Sequence, residues 1–319
     1  MAAPEPGTLL PRRVAGYVVA YSGRHQIGLA TLSVAVFALA ALPLELQRRL
    51  VNTLVERGSF STVMWLAGGY AAVALGEQVL KLLLNVYRGW VAEDSVRSLR
   101  SIVSVAAERA GRTGSTEEIG AQISMMLEEA EPIGGFTGIS LSEPLLQAGI
   151  LASLIGYMVM LDWRLALLGL AFFLPQTVFV PLLQAGINRR ARERILVKRS
   201  ISAGVVDHVV ARTAGWAWAH GPIGRVFTLN MGIYRRKFTL NLLMNMMHHL
   251  GVASALCLGG WQVLEGRMEV GTVVAIVAGL GKLNDPWGDL VNWAREFAVV
   301  SVKYRLFSEF VNGLSRRAT

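Results

Sequence analysis

Apolar residues in this chain gather into long runs instead of alternating with polar ones. The first run occupies 27–46, interrupted by Pro43 and Glu45 near its far end, and the second covers about 62–86. Residues 144–161 and 165–183 form a close pair with only Asp162, Trp163 and Arg164 between them, a connection too short for anything but a hairpin of antiparallel helices. A fifth run covers 242–263. The sixth begins near Val270, stays apolar to Leu283 and then takes up polar residues on a helical period to about Val302. Crossing a hydrocarbon core takes about 20 apolar residues in a helix, so the pattern predicts an all-α, polytopic membrane protein with six transmembrane helices.

Two intervening segments, about 88–140 and 186–241, are too long for turns and too rich in helix formers for plain loops. They are predicted to be helices continuing beyond the bilayer. Within the first, Ile119, Ile123, Met126 and Leu127 recur at helical spacing, and Pro132 with Gly134 and Gly135 is expected to break that piece. The resulting division is a tail over 1–25, a six-helix domain over 26–303 and a second tail over 304–319.

Composition narrows the class further. With 53% hydrophobic and 17% charged residues and a mean hydropathy of +0.45, the chain is neither disordered nor an ordinary soluble protein. A net charge of +9 would prompt a search for nucleic acid, but the basic residues lie between and beside the apolar runs, and neither a zinc spacing nor an RNA-binding aromatic motif accompanies them. The expected partner is the lipid bilayer and not nucleic acid. Of the 31 Lys and Arg residues, 23 fall on the side of the two tails and the two long segments, five on the opposite side and three within helices. Positive charge is retained on the cytoplasmic side, which predicts a multi-pass protein of the plasma (inner) membrane with both termini cytoplasmic. The one cysteine, Cys257, has no intrachain partner and belongs to no metal-binding spacing. Because the first run is followed by others, it is read as a retained helix and not a cleaved signal.

Ionisable residues inside apolar spans are costly and mark candidate sites. In the second span Glu77, Lys81, Asn85 and Arg88 share an arc of about 80° at ~100° per residue. Glu77 and Lys81 are also i and i+4, so an intrahelical pair that neutralises itself is the alternative. The sixth segment repeats the arc with Lys282, Asp285, Asp289, Asn292 and Glu296, where a Lys282–Asp285 pair and a kink at Pro286 give the structural alternative. The fifth span opens with Asn241, Met244, Asn245, His248 and His249 on one face. Imidazole and thioether bind soft metals, but adjacent His without carboxylates or a second thiol fits bundle packing better, so no metal is expected. The candidate substrate-cavity residues are Glu77, Lys81, Asn241, Asn245, His249, Lys282, Asp285 and Asp289.

Several stretches resemble one family. The hairpin MLDWRLALLGLAFFLP over 160–175, the stretch VLEGRMEVGTVVAIVAGLGKLNDPWGDLV over 263–291 and the SVKYRLFSEFV segment from Ser301 are each similar to the transmembrane domain of ABC exporters of the six-helix, type 1 kind. The resemblance spans about 14–310. The chain departs from that family in its first cytoplasmic contact region, where Gln122 and Met126 stand in place of a frequent Arg and Asp. There is no G-x-x-x-x-G-K-[ST] motif either: Gly281–Lys282 is followed by Leu283 and has Ile276 at the first glycine position, and an LSGGQ-like signature is missing.

The resemblance implies a permease subunit, not an enzyme by itself, that forms a translocation pathway with a second six-helix subunit, as a homodimer or heterodimer. A separate ABC ATP-binding subunit, carrying ATP and Mg, would drive it, and this chain would hold no cofactor. Two short coupling helices would transmit closure of the ATPase. The first lies around 125–133, with Met126, Glu128 and Glu129; the second lies around 211–220, with Arg212, Trp216 and Trp218. Those tryptophans either dock in a groove on the ATPase or sit at the membrane interface; their distance from the spans favours docking. The family-level cargo is an amphipathic small molecule, lipid or peptide, exported. The rival classes are a non-pumping assembly or regulatory protein that reuses the fold and an ion-coupled secondary transporter.

Overall fold

The structure is a computed structural model that describes residues 10–110, 129–210 and 219–317. Among the described residues every element is a helix and no strand occurs: α1 (Val14–Leu39), α2 (Leu42–Val55), α3 (Phe60–Ala110), α4 (Ala130–Ile139), α5 (Ser142–Leu161), α6 (Trp163–Val210), α7 (His220–Leu264), α8 (Val270–Gly281) and α9 (Asn284–Arg317). The chain divides into two compact units, Met1–Leu161 with Glu269–Thr319, and Asp162–Met268.

Among the described residues five helical stretches are long enough and apolar enough to cross a bilayer: Val14–Val55, Phe60–Ala106, Ala130–Leu161, Trp163–Lys198 and His220–Leu264. Two of the helices are much longer than a span. At 1.5 Å per residue the 51 residues of α3 and the 48 of α6 reach about 77 and 72 Å, far more than a ~30 Å hydrocarbon core requires.

In the first unit the termini and glycines show how sequence becomes packing. The first apolar run does not make one helix. Its ladder tightens where the Ala40 amide reaches back three residues to the Phe37 carbonyl at 3.1 Å, and α2 restarts with Pro43 in its first turn, where a missing N–H costs nothing. The sixth run divides in the same way. Three-residue bonds from Lys282 to Gly279 (3.0 Å) and from Leu283 to Leu280 (3.4 Å) close α8, and Pro286, in the first turn of α9, has no N–H to carry the ladder back to Lys282.

The break expected at Pro132 and Gly134–Gly135 does not occur, because all three lie inside α4. Pro132 occupies the first turn, and Gly134 lets α4 approach α3 closely: a Cβ there would meet the Val96 amide nitrogen at 2.8 Å. Gly138 sits against the Arg88 carbonyl in the same way. The core beside this contact joins Tyr17 of α1, Leu99 and Val103 of α3, Ile133 and Phe136 of α4, and Tyr304 and Phe307 of α9. Tyr304 donates to the Pro11 carbonyl at 2.8 Å, and burial, with Tyr17 and Tyr21 beside it, raises its pKa so that it stays a donor. Leu10 and Asn312 exchange two hydrogen bonds of 2.8 and 3.1 Å, fastening the residues just before α1 to α9.

The second unit is a hairpin of α6 and α7. Asp162 caps α6, its Oδ1 accepting from the Leu165 amide at 2.8 Å. The helices meet through small residues and arginines: Gly186 lies beside Arg236, Gly232 beside Arg190, and Arg194 donates to Asn230 at 3.1 Å. The turn into α8 uses Gly266 at a φ of 70°, a left-handed conformation that glycine adopts without strain.

Candidate functional site

The first unit holds an open cavity of about 700 Å3, walled by α2, α3, α5, α8 and α9. One wall is the arc on α3, where Glu77, Lys81, Asn85 and Arg88 all face the cavity with the 3.6-residue period that puts them on one side. Lys282, Asp285 and Asp289 enter from α9 and the turn before it. The α5 wall carries Glu143 and Gln147, which also share a face at i and i+4.

The charges form a connected set. Lys81 pairs with Glu77 at 2.6 Å, so the self-neutralising pair does form, and it lines the cavity as well. Arg88, 8% exposed, pairs through Nη1 with Glu143 at 2.5 Å and donates through Nε to the Ser142 hydroxyl at 2.8 Å. Gln147 donates to Glu143 at 2.8 Å and to Asp289 at 3.1 Å, so the chain from Arg88 to Asp289 ties α3, α5 and α9 together. Lys282 and Asp285, which the structural alternative paired with each other, hold no side-chain hydrogen bond or ion pair among the described residues, because the break before α9 removes the helical register between them. Asn292 and Glu296, from the same expected stripe, are not part of the cavity wall.

The lining carries four carboxylates (Glu77, Glu143, Asp285 and Asp289) against three cations (Lys81, Arg88 and Lys282). Two ion pairs cancel internally, which leaves Lys282 beside Asp285 and Asp289 with one excess negative charge. Such a set can hold a cationic or hydrogen-bonding group inside otherwise apolar helices.

Near Pro43 and Leu154 of this cavity lies a polar clip. Glu45 accepts from Arg48 at 2.9 and 3.0 Å, from Arg49 at 2.6 Å and from Tyr157 at 2.8 Å. Arg48 and Asn52 both reach Glu269, at 2.7 and 2.5 Å, and Asn52 Oδ1 accepts from the Gly271 amide at 2.7 Å. Helix α2 is thereby fastened to the start of α8 and to α5.

Other expected site residues are not among those that line this cavity. Asn241, Asn245 and His249 stand on α7 in the second unit, each exposed, with the His248 and His249 rings 5.4 Å apart. No group of three or more His, Cys, Asp or Glu suited to a metal occurs among the described residues. Of the expected coupling residues, Met126, Glu128, Arg212, Trp216 and Trp218 lie outside the described residues. Glu129 pairs with Lys303 of α9 at 3.0 Å, and Ala130 and Ile133, the far end of the expected first coupling helix, are fully buried in the core.

Sequence reasoning passed over Glu143 and Gln147. Their i, i+4 spacing at the head of an apolar run was the available signal, but only the fold brings them opposite Arg88 and Asp289.

Five membrane-length helices among the described residues, with ionisable side chains gathered in a cavity of the first unit, define a multi-pass helical membrane protein with a polar cavity. No family model matches this sequence, and no curated protein gives a match.

Proposed function

We propose that this chain is the permease part of an ABC exporter-like transporter with six membrane-crossing segments, α8 and the start of α9 together supplying the sixth. Its path would carry an amphipathic molecule bearing a cationic group. The observation that carries the reading is the cavity of about 700 Å3 whose wall holds Lys282, Asp285 and Asp289 without full charge compensation. Charge placed inside a membrane domain is costly unless it serves transport or is fully paired, and here the pairing is incomplete. The sequence resemblance over 14–310 supports the exporter class, a second six-helix subunit and an ATP-hydrolysing partner outside these 319 residues. Residues 186–210 of α6 and 220–241 of α7, two helices each much longer than a bilayer is thick, supply the arms on which such a partner would dock.

The test is uptake of amphipathic cations into inverted vesicles, with the partner ATPase co-expressed and the amount of permease controlled. Asp289→Asn and Lys282→Gln should each lower ATP-dependent transport at least tenfold while leaving the protein folded. Normal transport by both variants would make the stripe structural and end the substrate inference. Uptake that needs no ATPase and follows an ion gradient would replace the exporter with a secondary transporter.

A further inference from the structure

The second unit carries two belts at matched levels on both of its helices. Trp163 near the start of α6 and Trp261 near the end of α7 are half exposed, and each has an arginine against its ring, Arg164 at 5.5 Å and Arg267 at 5.7 Å. Twenty-six residues along α6 from Trp163 stands Arg189, and twenty-six residues back along α7 from Trp261 stands Arg235. At 1.5 Å per residue both separations are about 39 Å, close to the ~40–45 Å of a bilayer with its headgroup regions. Between the belts the hairpin exposes Leu167, Leu174, Val178, Leu242, Met246 and Leu256, an acyl-chain face. Tyr234 and Phe238, stacked at 6.2 Å and exposed, mark the second level again.

At that second level, residues 189–194 and 235–237 hold seven cations and one carboxylate, Glu193. Arg190, Arg194 and Arg236 turn into the seam between the helices, while Arg189, Arg192, Arg235 and Lys237 are exposed. No ion pair neutralises these four among the described residues, whereas Arg48, Arg49, Lys81, Arg88, Arg97 and Lys303 of the first unit all have carboxylate partners.

From this geometry we infer that Arg189, Arg192, Arg235 and Lys237 form a binding belt for the phosphates of anionic phospholipid headgroups in the leaflet where the hairpin leaves the membrane. The belt is at headgroup depth, its excess charge is positive, and each exposed guanidinium offers the forked donors that match a phosphate. The inference needs only that the hairpin crosses a bilayer and is independent of what the protein transports.

The test uses the purified full chain in detergent. Its melting temperature is followed as phosphatidylglycerol, phosphatidylcholine or inorganic phosphate is added, and retained lipid is read by native mass spectrometry. Phosphatidylglycerol should protect and be retained, and the other two should not. Each cation near a lipid surface strengthens binding about fivefold, so the combined variant Arg189→Gln, Arg192→Gln, Arg235→Gln, Lys237→Gln should lose at least tenfold in apparent affinity. Replacing the three arginines by lysine should keep most of it. Equal protection by phosphatidylcholine, undiminished affinity in the four-glutamine variant, or full substitution by inorganic phosphate would each overturn the belt. If the four-glutamine variant does not fold, the unaltered protein decides: protection by phosphatidylglycerol must fall as salt rises, and salt-independent protection refutes the proposal.

Discussion

Arg88 and Glu143 show how one residue in a membrane helix depends on a partner 55 positions away. Their side chains are 10% and 16% exposed, so each charge is stabilised chiefly by the other. Glu143→Gln should therefore destabilise the protein by about 3–5 kcal/mol, read as a lower melting temperature in detergent, because it leaves the guanidinium buried without a counter-charge. The double variant Arg88→Met, Glu143→Met should recover most of that loss, since an apolar pair of similar volume avoids the desolvation cost. Glu77→Gln gives the contrast. Lys81 is 35% exposed and can turn to water, so the loss should stay within about 1 kcal/mol. The α3 side of this site was legible in the sequence, because a 3.6-residue period places Glu77, Lys81 and Arg88 on one face. The α5 side was not, because nothing local indicates which helix that face meets.

At the scale of elements, α3 and α4 are held together by the absence of side chains. Gly134→Ala would push a methyl group into the Val96 backbone and should cost about 1–3 kcal/mol in an unfolding series. Gly135→Ala, with nothing within 4 Å of the added Cβ, should be neutral or stabilise by up to about 1 kcal/mol through helix propensity. A neutral Gly134→Ala would mean that the two helices are not in close contact. The same pair explains why the expected break at 132–135 fails. Proline in a first turn and glycine at a crossing are compatible with a helix, whereas the same residues on an unpacked segment would end one.

For the whole molecule, the asymmetry of Lys and Arg carries the orientation. With Cys257 replaced by Ser, a cysteine at Ser59 or Gly266 should react with a membrane-impermeant thiol reagent in intact cells, and one at Ser200 should react only after lysis. Labelling at Ser200 from outside would invert the arrangement. Ser59 and Gly266 lie in short turns after α2 and α7, and Ser200 lies on the part of α6 that extends past its apolar stretch.

The apolar runs, the long helical extensions and the polar arc on α3 were determined by the sequence alone, since each depends on residues within a few turns of one another. Only the tertiary structure decided that Gln147 meets Asp289, that Glu45, Arg48 and Glu269 clip three helices together, and that Lys282 and Asp285 do not pair with each other across the break before α9. The physical reason is range. Helical period is a property of the local chain, while the partner of a buried charge and the clearance beside a glycine depend on distances between helices far apart in sequence.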